Sequence, residues 1–89
     1  MNTTIIITEG TKTFTIKSNQ AFKEETNGTA RTIYVPEPEN FEVSGARQSN
    51  QNHFVTTFPH ADINLNGTLL HGDVTVTNHP GEHVEVRIM

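Results

Sequence analysis

Residues 60–73 read HADINLNGTLLHGD, a near-palindromic stretch that carries the clearest structural signal in the chain. Its centre, Asn66-Gly67, is the strongest short signal for a β-hairpin, because a type I′ turn needs positive φ at both central residues. A turn at this point places Leu65 opposite Thr68. The stretch therefore predicts two antiparallel strands whose residues alternate between two faces.

The same register brings four polar side chains to one face of the hairpin. His60 falls opposite Asp73, and Asp62 falls opposite His71. Imidazole and carboxylate groups both bind zinc and similar divalent metals, so the four could hold a metal ion if the two pairs lie close together. Two other interpretations stay open: ordinary neighbours on a solvated face, or histidines that make an interface sensitive to acid.

A second group of histidines surrounds the Pro80-Gly81 turn. His79 and His83 flank this turn, and Glu82 lies between them. If the last two hairpins are neighbours, this loop could supply further metal ligands.

Hydrophobic alternation predicts a first hairpin on either side of Glu9-Gly10. That turn places Ile5 opposite Phe14. The two predicted strands then collect their large apolar side chains on one face: Ile5, Ile7, Phe14 and Ile16.

Asn27-Gly28 predicts a second hairpin, in which Phe22 lies opposite Ile33 and Glu24 opposite Arg31. A short helix over residues 19–25 is the competing interpretation, because that segment tolerates helix.

The middle of the chain is less regular. Residues 36–40 contain two prolines and predict a linker or edge crossing, whereas residues 41–43 predict a short strand. Residues 45–52 are polar and without periodicity, so we expect a mobile loop. A strand over residues 53–58 is expected to stop at Pro59.

The last hairpin turns near Pro80-Gly81 and allows two registers. A three-residue loop pairs Val76 with Val86, and a five-residue loop pairs Val76 with Val84. Taken together, the turn signals predict an all-β fold in a single domain, residues 1–89. We expect a small antiparallel β-sandwich or barrel of seven or eight short strands, built from consecutive hairpins, with at most one helical turn.

The composition bears on how such a domain is stabilised. Hydrophobic residues make up 33% of the 89 residues, and there is no cysteine. A core this thin, without disulfides, predicts a homo-oligomer, because self-association buries further area. Phe54 and Phe58 share a face of their strand while Val55 points the other way, a pattern typical of a strand buried on both sides at a subunit contact. These three residues are the predicted interface.

Charge and motifs exclude several classes of function. The formal charge is −4, and the six Lys and Arg residues are not clustered, so nucleic acid and anionic membranes are not expected partners. No apolar run is long enough to span a membrane, and the N-terminus lacks a signal-peptide pattern. We expect a cytoplasmic protein, or part of a particle assembled in the cytoplasm. The sequence contains no nucleophile elbow and no phosphate-binding glycine loop, so it predicts a non-enzyme without cofactor other than a divalent metal.

These features favour a non-enzymatic structural or protein-interaction module that contacts itself or a larger protein assembly. A decoration, cement or connector protein of a viral particle fits this size and composition. The alternatives are a small acidic inhibitor or accessory protein that binds a host protein, and a metal-binding β domain that uses the His/Asp hairpin. A barrel for oligosaccharide or single-stranded nucleic acid is disfavoured, because the chain has no Trp and one Tyr to form a stacking platform.

Overall fold

The computed structural model describes residues 2–89, and these residues form nine β-strands without a helix. The strands are β1 (Thr3–Glu9), β2 (Lys12–Ser18), β3 (Lys23–Asn27), β4 (Ala30–Pro36), β5 (Pro38–Val43), β6 (Ala46–Gln48), β7 (Phe54–Leu65), β8 (Thr68–His79) and β9 (His83–Ile88). All pairings between them are antiparallel, in the order β3-β4-β9-β8-β7-β1-β2-β5-β6. The predicted all-β class is confirmed.

The sheet is rolled into a small barrel-like or sandwich-like body. Strands β4 and β5 stand second and eighth in the order, yet Glu37 alone joins them. Six strand spacings in a flat sheet would separate them by about 29 Å, which one residue cannot span. The Ser18 hydroxyl closes the corner by donating to the Pro36 carbonyl over 2.6 Å. The backbone N–H of Glu37 donates to Glu82, which ties the corner to the β8–β9 turn.

Alternating side chains from this rolled sheet form one core. The inward positions of β1, β2, β7, β8 and β9 carry aliphatic residues, and Phe41 and Phe58 add the largest fully buried side chains. The buried hydrophobic residues are Ile5, Ile7, Phe14, Ile16, Ala30, Ile33, Val35, Phe41, Phe58, Ala61, Ile63, Leu65, Val74, Val76, Val84, Val86 and Ile88.

The hairpin at Asn66-Gly67 has the predicted geometry. Leu65 pairs with Thr68, and both turn residues have positive φ, 49° for Asn66 and 94° for Gly67. The Asn66 side chain also accepts a hydrogen bond from the backbone N–H of Thr4 over 2.7 Å. This turn therefore fixes the register of β7 with β8 and also contacts β1.

The first two hairpins have a different register from the predicted one. Ile7, not Ile5, lies opposite Phe14, and Glu24, not Phe22, lies opposite Ile33. In each turn the glycine is the first of the two central residues, with φ of 60° and 64° and a threonine of negative φ after it, which is a type II′ turn. This choice shifts the pairing by two residues, so the predicted buried face, with Ile5 opposite Ile16, is kept.

Three other segments depart from the sequence-based expectation. The helix over residues 19–25 is wrong, since strand β3 begins at Lys23. Residues 36–40 are not a linker throughout, because β5 starts at Pro38 after a one-residue corner. The loop over residues 45–52 contains edge strand β6, which follows a tight turn at Ser44 and Gly45, both with positive φ.

Strand β7 does not stop at Pro59. It continues through a β-bulge, in which Pro59 and His60 face Asp73 alone between the pairs Phe58–Val74 and Ala61–Gly72. A bulge leaves one residue without a ladder partner, so the missing N–H of proline is tolerated there. Because of the bulge, β7 is a single strand of 12 residues. The described residues form nine strands, more than the seven or eight that were predicted, and β6 lies in a segment that was expected to be a loop.

Candidate functional site

The His/Asp hairpin holds two cross-strand contacts on the outer face of the sheet. His71 lies opposite Asp62, and its Nδ1 is 2.9 Å from the carboxylate Oδ1. Asp73 accepts a hydrogen bond from the backbone N–H of His60 over 2.9 Å, while the His60 ring nitrogen is 3.8 Å away. Asp73 therefore binds the bulged backbone at hydrogen-bond distance, and the His60 ring lies farther from it.

These four residues stay as two separate pairs. All four side chains are well exposed, the least exposed at 62%. Within residues 2–89, three ligand atoms from this hairpin do not come within 4.8 Å of one another. Exposed ion pairs of this kind contribute little stability. A metal site at His60, Asp62, His71 and Asp73 stays a prediction, and the geometry offers no convergent ligand set for it.

A convergent set lies at the other end of β8. The last hairpin adopts the three-residue loop, so His79 pairs with His83 and Thr77 pairs with Glu85. His79, His83 and Glu85 thus share the outer face, and one ligand atom from each lies within 4.8 Å of the other two. The sequence indicated His79 and His83 with Glu82 as their companion. Glu85 was missed because its position depends on the loop length, which the sequence left open.

Aromatic rings border this cluster. The Tyr34 ring on β4 lies edge-on to His83, with centroids 5.5 Å apart, and His53 lies edge-on to His79 at 5.9 Å. Desolvation raises the pKa of Tyr34, and the negative charges of Glu25 and Glu85 raise it further. Tyr34 thus lies beside the His83 ring and within reach of the negative charge of Glu85.

A separate cleft opens between β2, β5, β6 and β7. Its volume is about 390 Å³. Phe14, Phe54 and Phe58 form an aromatic floor, in which the Phe14 ring lies 6.3 Å from Phe54 and 5.6 Å from Phe58. The cleft is lined by Lys12, Phe14, Val43, Gln48, Ser49, Asn52, Phe54, Thr56 and Phe58. The Lys12 ammonium is 5.5 Å from the centre of the Phe58 ring.

The predicted interface residues are divided between this cleft and the outer face. Phe54 is half-buried and Phe58 is 1% exposed, and both line the cleft. Val55 is 57% exposed on the opposite side of β7. The sequence therefore placed two of the lining residues on one face of their strand, and the role of the three residues as an interface stays a prediction. The sequence missed the cleft itself, because Lys12, Gln48 and Asn52 come from segments distant in the chain.

Comparison with protein-family models, with curated proteins and with solved structures gives no match. Among the described residues, no helix is long and apolar enough to cross a membrane.

Proposed function

We propose that the protein is a non-enzymatic interaction module that self-associates, with the aromatic cleft of one copy receiving an apolar side chain of a second copy. The observation that carries this proposal is the solvent-open cleft with its floor of three phenylalanines. Large aromatic side chains are enriched at the centres of protein interfaces because they bury much area with little loss of conformational entropy.

The composition of the cleft resembles that of an interface. Phe14, Phe54 and Phe58 provide the apolar centre, while Lys12 and Asn52 stand among the polar lining residues. Protein interfaces commonly combine such an apolar centre with polar groups at the rim, which bind the partner's backbone and side-chain oxygens. Strand β6, the short edge strand beside the cleft, also presents backbone groups to an incoming chain.

Leu69 is the side chain of this protein best placed to enter the cleft of another copy. It is 77% exposed, more than the other large hydrophobic residues that protrude from the described surface. It lies two residues beyond Gly67 in the first part of β8, where residues 68–71 pair with β7 but β9 does not reach. One edge of this hairpin is therefore open, and Leu69 can approach another molecule.

The expected affinity can be estimated from the burial of Leu69. Full burial of one leucine contributes about 2 kcal/mol, whereas a micromolar complex needs about 8 kcal/mol. We expect association at tens to hundreds of micromolar, which corresponds to about 5–7 kcal/mol, so the rim and the β6 edge must supply about 3–5 kcal/mol.

Complementation between two variants tests this proposal. Leu69→Asp removes the inserted side chain, and Thr56→Arg fills the cleft of its copy with a charged side chain. We expect each variant to be monomeric by light scattering coupled to size-exclusion chromatography. An equimolar mixture should recover a dimer, because one intact cleft and one intact Leu69 remain.

Val55→Asp is the matched control, because Val55 is also an exposed hydrophobic residue of this sheet but lies outside the cleft. Its association should equal that of the unsubstituted protein. A monomer at several hundred micromolar would contradict the proposal. Unchanged association of Leu69→Asp, or loss of association in Val55→Asp alone, would also contradict it.

A further inference from the structure

The outer face of the β8–β9 hairpin carries a group of side chains that the proposed self-association does not use. His79 ends β8, His83 begins β9, and Glu85 follows two residues later on the same face. The His79 and His83 rings have centroids 4.7 Å apart, and His79 Nε2 is 4.0 Å from Glu85 Oε1. In the part of the chain that the structure describes, this is the one group of three such residues whose ligand atoms converge.

We propose that His79, His83 and Glu85 form a binding site for a zinc-class divalent cation. Two imidazoles and one carboxylate are a donor set that suits Zn²⁺ and leaves a fourth position for water or for a partner's ligand. The absence of thiolate ligands favours borderline metals such as zinc and nickel over soft ions.

The backbone holds the three residues in a favourable arrangement. The loop of Pro80, Gly81 and Glu82 is short, and the backbone N–H of Glu82 donates to the His79 carbonyl over 3.0 Å. His79 and His83 are therefore paired directly across the two strands, and the short loop fixes this register. The ligand positions are set by the register of one tight hairpin.

Only small side-chain movements separate this arrangement from metal coordination. Ligand atoms in a tetrahedral zinc site lie about 3.4 Å apart, given zinc–nitrogen distances of about 2.0–2.1 Å. The separations here are at most 4.8 Å. The His79 and Glu85 side chains are 36% and 32% exposed, so side-chain rotations can move their ligand atoms by about an ångström. Tyr34 packs against the His83 ring from the side and supports its orientation.

Calorimetric titration with ZnCl₂ at pH 7.5 tests the site on the full chain. We expect one zinc per chain, and at least tenfold weaker binding for His83→Asn. The matched control is His71→Asn, which removes an imidazole from the outer face of β8, the strand that ends at His79, but outside the cluster. That variant should bind zinc as the unsubstituted protein does. No zinc binding by the unsubstituted protein at 1 mM would overturn the proposal, and so would a loss that follows His71.

Ring NMR of the unsubstituted protein keeps the test independent of any variant's folding. Zinc should perturb the ring signals of His79 and His83 and leave those of His60 and His71 unchanged. Perturbation of the His60 and His71 rings alone would assign the metal to the other hairpin and overturn the proposal. The cleft and Leu69 take no part in this experiment, so its outcome is independent of self-association.

Discussion

The structure predicts whether Gly72→Ala stabilises or destabilises the protein. Replacing glycine by alanine in a compatible strand position commonly stabilises a protein by about 0.4–1 kcal/mol through the unfolded state. Here a Cβ on residue 72 would lie 2.5 Å from the backbone oxygen of Met89 and 3.1 Å from the Cγ2 of Ile88. The oxygen is part of the backbone, so the end of the chain must move by nearly an ångström to restore an ordinary contact.

That movement acts on two backbone hydrogen bonds. The Asp73 N–H donates to the Met89 oxygen over 3.1 Å, and the Met89 N–H donates back to Asp73 over 3.0 Å. Each such bond contributes about 1 kcal/mol, and Ile88 must also shift within the core. After the gain from the unfolded state, we expect a net loss of about 1–2 kcal/mol. This loss corresponds to a melting temperature lower by about 5–15 °C.

Thermal unfolding followed by circular dichroism measures this loss, and hydrogen exchange locates it. The amide of Met89 should exchange faster in Gly72→Ala, while the amides of β1 and β2 keep their relative protection. Thr75→Ala, on the outer face of the same strand, is the control and should change stability by less than about 0.5 kcal/mol. An unchanged or raised melting temperature for Gly72→Ala would refute the reasoning from the close contact.

Two further predictions concern polar contacts. Arg31 donates two hydrogen bonds to Glu24, and these bonds lower the pKa of the Glu24 carboxyl. The stability that they provide is therefore complete at neutral pH and is lost as the pH falls through that lowered pKa. The pair is largely solvated, so Glu24→Gln should lower the free energy of unfolding in urea by a few tenths of a kcal/mol at pH 7 and leave it unchanged at pH 2. A loss of stability that does not vary with pH would contradict this. Asn78 is buried, and its side-chain amide donates to the backbone carbonyls of residues 50 and 52. Asn78→Ala should therefore lower the free energy of unfolding by about 1–3 kcal/mol and speed hydrogen exchange in β6. Unchanged exchange in β6 would show that Asn78 does not hold the loop.

The sequence predicted which residues are buried better than it predicted which residues pair. Alternation has a period of two, so the register error of two residues at Gly10 left Ile5, Ile7, Phe14 and Ile16 on the inward face. The same error at Gly28 placed Glu24, not Phe22, opposite Ile33. The error itself arose because a glycine can be the second central residue of a type I′ turn or the first of a type II′ turn. At Asn66-Gly67 both residues adopt positive φ and the predicted register is found, whereas Asn27-Gly28, with the same two residue types, forms a type II′ turn with Gly28 as its first central residue.

The sites depended on information that local patterns do not contain. Asp62 and His71 were predicted as a pair because one tight turn relates them, whereas the bulge at Pro59 and His60 changed the second pair. Glu85 joins the histidine cluster only if the last loop has three residues. The cleft collects side chains from β2, β6 and β7, so it follows from the rolling of the sheet and not from any one hairpin.

Contact between Leu69 of one copy and the aromatic cleft of another is the central claim, and an isotope-filtered NMR experiment tests it most directly. Chains with labelled leucine methyl groups would be mixed with unlabelled chains at several hundred micromolar. We expect intermolecular Overhauser effects from the Leu69 methyl groups to the rings of Phe54 and Phe14, which disappear when the labelled chain carries Leu69→Asp. Intermolecular effects that involve Val55 and the outer face instead, or none at this concentration, would contradict it.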